Sequence, residues 1–150
     1  MNTSAKPASL IAAPLALLLV LALALASCGS STTAHPRAQI TKNWETFFDG
    51  KTSASQRIKL LQHGSKFSSL IKSQSGKGLA AETSAKVSSV TLSGTKKATV
   101  DYTILLNGQP ALKNQKGTAL LHKGTWQVSD SSFCGLLALQ GAKPAACSAG

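Results

Sequence analysis

The hydrophobic period of this chain changes once, from about 3.6 residues to two, near Ala85. That single change restricts the fold more than any other feature. Before it, Ile40, Trp44, Phe47 and Phe48 fall at i, i+4, i+7 and i+8, one face of a helix. Asp49-Gly50 stops that helix. Ser53 or Thr52 can cap a second helix, with Ala54, Ile58 and Leu61 on its inner face and Gly64 as its C′ residue. Ser65 then opens a third, short helix through Phe67, Leu70 and Ile71. After the change, Val90 and Leu92 alternate up to a Ser93-Gly94 turn. Val100, Tyr102, Ile104 and Leu106 alternate against Thr99, Asp101, Thr103 and Leu105. Asn107-Gly108 is a hairpin signal, because both turn residues must tolerate positive φ. Residues 117–122 give a third strand, and Lys123-Gly124 turns into a fourth carrying Trp126 and Val128. Asp130 or Ser131 caps a last helix through Phe133, Leu136, Leu137 and Leu139. Helices followed by strands predict an α+β fold, with the helices packed on one face of a curved four-stranded antiparallel sheet. Aromatics are only 5% of the chain, so the core is expected to rest on aliphatic residues with a few rings.

The first 27 residues read as an export leader. Lys6 supplies a modest positive charge, and an apolar run continues through Leu15 to Ala26. Pro14 interrupts that run, which is short for a membrane span of ~20 residues. The run ends in Leu25-Ala26-Ser27-Cys28, which resembles the lipobox of bacterial lipoproteins. On that reading the chain is cut before Cys28. The thiol takes a diacylglyceryl group as a thioether, and two or more acyl chains hold the protein to the membrane. Residues 28–37 carry no bulky apolar residue and read as a flexible tether, and 38–150 as one domain. With Cys28 acylated, Cys134 and Cys147 remain as an even pair that an oxidising compartment favours joining; the alternative is two free thiols.

The balance of charge is basic, a formal +11. Such charge attracts polyanions, and outside the cytoplasm these are anionic lipid headgroups and envelope polymers rather than nucleic acid. Only Lys96 and Lys97 are adjacent, so the basic residues also fit an ordinary solvated surface.

Several segments resemble a known family. They are Phe47-Phe48-Asp49-Gly50, Lys59-Leu60-Leu61-Gln62-His63-Gly64, Gly108-Gln109-Pro110 and Gly124-Thr125-Trp126-Gln127-Val128-Ser129. With Ser132-Phe133-Cys134-Gly135-Leu136-Leu137-Ala138-Leu139 they resemble the low-molecular-weight antigen family of actinobacterial secreted proteins and lipoproteins. The resemblance covers roughly residues 38–147. It implies a cone-like fold similar to nuclear transport factor 2, an envelope location and the Cys134–Cys147 pairing, and it supplies no catalytic residues.

That cone fold also houses isomerases and cyclases, which set a carboxylate base in an apolar pocket. Asp101 is the candidate base here, but alternation places it on the opposite face from Val100 and Tyr102. His63 precedes Gly64, where a cation suits a helix end; His122 sits beside a turn and His35 in the tether. These isolated histidines make no metal site. Gly76-Lys77-Gly78 fails as a phosphate loop, since Ile71 stands where glycine is needed. Trp44, Phe47, Phe48 and Tyr102 are candidates to line a ligand pocket, against the plainer reading that such rings are core. The sequence therefore points to a lipid-anchored envelope domain that binds a small apolar ligand, another envelope protein or an anionic polymer. It points to no cofactor and no catalysis. The alternatives are a cone-fold enzyme of the isomerase or dehydratase type and a purely structural surface antigen.

Overall fold

The computed structural model describes residues 31–148; the leader and Cys28 lie outside the described residues. Helix α1 (Ser31–Phe48) leads into α2 (Ala54–Leu60), a 3-10 turn (Gly64–Phe67), α3 (Ser68–Gln74) and the one-turn α4 (Gly78–Ala81). Strands β1 (Thr83–Leu92), β2 (Lys97–Leu106), β3 (Gln109–His122) and β4 (Thr125–Val128) follow, then α5 (Asp130–Leu139) and a 3-10 turn at Ala145–Cys147. The strands form one open sheet in the order β1-β2-β3-β4, antiparallel throughout. Helices pack on this sheet, so the molecule is α+β.

Local chemistry explains most boundaries. The Ser53 hydroxyl accepts from the Gln56 N–H at 3.3 Å and caps α2. The Ser129 hydroxyl does the same for α5, accepting from Ser132 at 3.1 Å. Asn107 and Gly108 take φ of 51° and 74°, and Lys123 and Gly124 take 46° and 79°, closing the two tight hairpins. The Arg57 guanidinium donates to the Phe47 carbonyl at 2.9 Å and lies 5.5 Å over the Phe47 ring. It thereby satisfies a carbonyl that the end of α1 leaves without a partner.

Every aromatic side chain is buried. Trp44, Phe47 and Phe48 from α1 meet Tyr102 from β2, with Phe67, Trp126 and Phe133 around them. Phe47 contacts Phe48 and Phe133 edge-on at 4.8 and 5.5 Å between ring centres. The core thus rests on rings far more than the composition suggested, because few aromatics can still all converge. Ile40, Leu61, Ile71, Val100 and Val128 fill the gaps.

Four details differ from the sequence reading. Helix α1 starts at Ser31, so residues 31–37, read as tether, are helical. A helix held by its packed C-terminal half extends at little cost, since the nucleation penalty is already met. Gly64 is not a C′ residue: His63 takes the left-handed conformation at φ 49°. A side chain at Gly64 would overlap the Ile58 carbonyl. Strand β3 begins at Gln109 rather than near residue 117. Ser129, and neither Asp130 nor Ser131, caps α5.

Strand β4 pairs only with Ala119–His122 of β3. Farther toward its start, β3 is bonded to β2 alone, with register shifts between Tyr102 and Leu105. The start of α5 covers part of this edge, where the Thr118 N–H donates to the Ser132 hydroxyl at 2.8 Å. A bridge between Leu61 and Val128 ties the helical half to the last strand.

Candidate functional site

Trp44, Phe47, Phe48 and Tyr102 come together, but as packed core. Their exposures are 1%, 0%, 4% and 3%. Trp44 meets Tyr102 at 5.1 Å and Phe48 at 5.9 Å between ring centres. The Trp44 Nε1 is buried with no hydrogen-bond partner among the described residues. Of the four, Tyr102 alone also lines a surface groove described below. Burial pushes its phenol up to about 12.

Asp101 lies on the opposite face of the sheet from Tyr102, as alternation predicted. Its carboxylate accepts from Lys116 Nζ and from the Ser89 hydroxyl, the latter at 2.7 Å. Those hydrogen bonds, Lys116 first, hold it below the usual carboxylate range. A carboxylate so placed is a weak base and faces no apolar cavity. His63 does not serve as a helix-end cation. Its Nδ1 lies 2.8 Å from the Asp130 carboxylate, joining the loop after α2 to the start of α5. His122 and His35 are exposed. No group of three or more metal-ligating side chains occurs among the described residues. None of their helices is long and apolar enough to cross a membrane.

Cys134 and Cys147 are joined as a disulfide, with Cα atoms 5.6 Å apart. Cys134 is on α5 and Cys147 ends the 3-10 turn, so the bond fastens the tail to the last helix. Both sulfur residues are partly buried against the core.

Several grooves indent the surface of the described residues. One of about 410 Å³ runs between α5 and β3, lined by Tyr102, Gln115, Gly117, Ser132, Gly135 and Leu136 among others. A second, of about 550 Å³, lies between α1 and β1 beside Lys42, Glu45 and Asp49. There Glu45 accepts from the Val87 N–H at 3.0 Å, next to the irregularity in β1. A third, of about 270 Å³, is flanked by His63, Lys96 and His122.

The first groove runs along two glycines. Its wall is bare backbone at two points. At Gly117 an added Cβ would lie 2.5 Å from the Trp44 ring, so close packing requires glycine. At Gly135, inside α5, an added Cβ would meet nothing within 4 Å. Gln115, Gly117, Ser131, Ser132 and Gly135 were absent from the candidates read from sequence. The one available signal was Gly135, a glycine within an apolar helical stretch, where it costs helix stability.

Comparison with curated proteins finds no match. The model of the family described as low molecular weight antigen MTB12, C-terminal domain, matches residues 33–144. That match spans the chain from α1 to beyond α5 and takes in Trp44, the whole sheet and Cys134, and by it the chain belongs to this antigen family.

Proposed function

We propose that this protein is a lipid-anchored component of the cell envelope whose folded domain binds a ligand or partner without catalysing a reaction. The observation that carries the binding half is the filled aromatic core. Enzymes of the isomerase type need a carboxylate facing an apolar cavity. Here the rings occupy the interior, and Asp101 is bonded to Lys116 and Ser89 on the other face. Recognition is then left to the surface grooves. The anchoring half rests on Leu25-Ala26-Ser27-Cys28 at the end of the leader. It supports a place for the domain at the extracytoplasmic face of the membrane, with its basic surface toward anionic headgroups.

Replacing Cys28 by Ala tests the anchor. The variant is expected in the soluble extracytoplasmic fraction, while the parent chain stays with membranes after a carbonate wash. A variant that remains membrane-bound overturns the anchor. Mass spectrometry of molecules co-purifying with the full-length protein tests binding. A recurrent, stoichiometric small molecule or partner is expected, and repeated recovery of bare protein counts against the reading.

A further inference from the structure

We propose that the groove between α5 and β3 binds a neutral, polyhydroxylated ligand, one or two sugar rings of a glycan chain. The inference rests on the binding reading above and names its ligand class.

Tyr102 provides the first reason. The residue is 3% exposed and lines the groove. A phenol both donates and accepts, as a sugar hydroxyl does. Gln115, Thr118, Ser131 and Ser132 line the same groove with groups of the same double character.

Gly135 provides the second. A glycine in a helix interior costs stability relative to alanine. Packing does not demand it here, since a Cβ would enter open space. What it does is keep the helix wall bare where it borders the groove. With Gly117 on the strand side, the two walls leave room for a flat ring. Leu136 and the 66% exposed Leu139 give an apolar strip for the C–H face of such a ring.

Charge selects a neutral ligand. Lys116 is the charged residue of the lining, and its ammonium is held by Asp101. The first turn of α5 carries Asp130 and is capped by the Ser129 hydroxyl, so it repels an anion instead of receiving one. A long acyl chain fits poorly, because an open, half-polar groove leaves most of its length in water. The volume, about 410 Å³, suits one or two rings and falls in the range of small-ligand sites.

Saturation-transfer NMR on the full-length chain in detergent tests this. The probes are neutral di- and tetrasaccharides of glucose, galactose and mannose, with glucose 6-phosphate and butyrate as controls. Transfer to at least one neutral saccharide is expected, with none to the controls. Gly135→Leu fills the groove and should abolish transfer while leaving the thermal midpoint unchanged or raised. Tyr102→Phe should weaken binding about tenfold, the loss of roughly one hydrogen bond. Transfer to no saccharide overturns the proposal, as does transfer to the controls alone. Saccharide binding untouched by Gly135→Leu overturns the groove while leaving the broader binding reading standing.

Discussion

Gly117 and Tyr102 show how much rests on single residues. An alanine at Gly117 pushes its methyl into the Trp44 ring, and neither the strand nor the buried indole can yield. Gly117→Ala should therefore lower stability by ~1–3 kcal/mol, the usual cost of overpacking, read as a shift in the urea midpoint. Tyr102 is the chain's one tyrosine, so tyrosinate absorbance reports it alone. Its pKa is raised in the folded state to about 12, from 10.0. Between those values the unfolded chain sheds the proton while the folded chain keeps it, so stability falls as pH rises through that window. Folded protein should half-ionise near the upper value and urea-unfolded protein near the lower. Equal midpoints in both states would remove the desolvation account. At this scale the sequence was legible where a residue's role follows from its neighbours along the chain. Alternation alone put Tyr102 inward and Asp101 outward. The groove was not legible, because Gly117, Gly135 and Tyr102 meet only through tertiary packing.

Helix α5 is tied to several other parts of the chain. Ser129 caps it, Ser132 bonds it to β3, Asp130 meets His63, and Cys134 ties it to the tail. The closed disulfide loop spans a sequence separation of 13, for which chain entropy gives ~3 kcal/mol. Reduction, or Cys147→Ala, should cost ~2–4 kcal/mol without abolishing the fold. Retention of the full unfolding free energy in the reduced protein would show that the tail contributes nothing. Gly135→Ala should act oppositely, raising stability by ~0.5–1 kcal/mol through helix propensity. Elements with a continuous apolar pattern were readable, as in α2 and β2. The first half of β3 was not. Lys113-Asn114-Gln115-Lys116 has no apolar alternation, and Asn114 takes a positive φ of 56°. Pairing with β2, rather than burial, makes that segment a strand. The beginning of α1 was missed for a related reason: a helix that buries nothing leaves no periodic trace.

For the whole molecule, the formal charge of +11 predicts a salt response. If the basic surface meets anionic headgroups, binding of unlipidated protein (Cys28→Ala) to phosphatidylglycerol vesicles should fall steeply between about 0.05 and 0.2 M salt, as the Debye length shrinks. No binding even at the lower concentration would leave the charge with a role in solubility only. The helices-then-strands order, legible at this scale, has a consequence in time. Synthesis runs from the amino end, so α1 emerges before any of the surface that buries it. Ile40, Trp44 and Phe47 wait for β2, β3 and α5, and the bridge from Leu61 closes only when Val128 arrives. No early portion of the chain holds a complete core that could lock shut. A nascent chain of this design stays pliable until almost its last turn is made. That delay suits the export proposed above, since a narrow translocation channel passes only chains that have not yet folded.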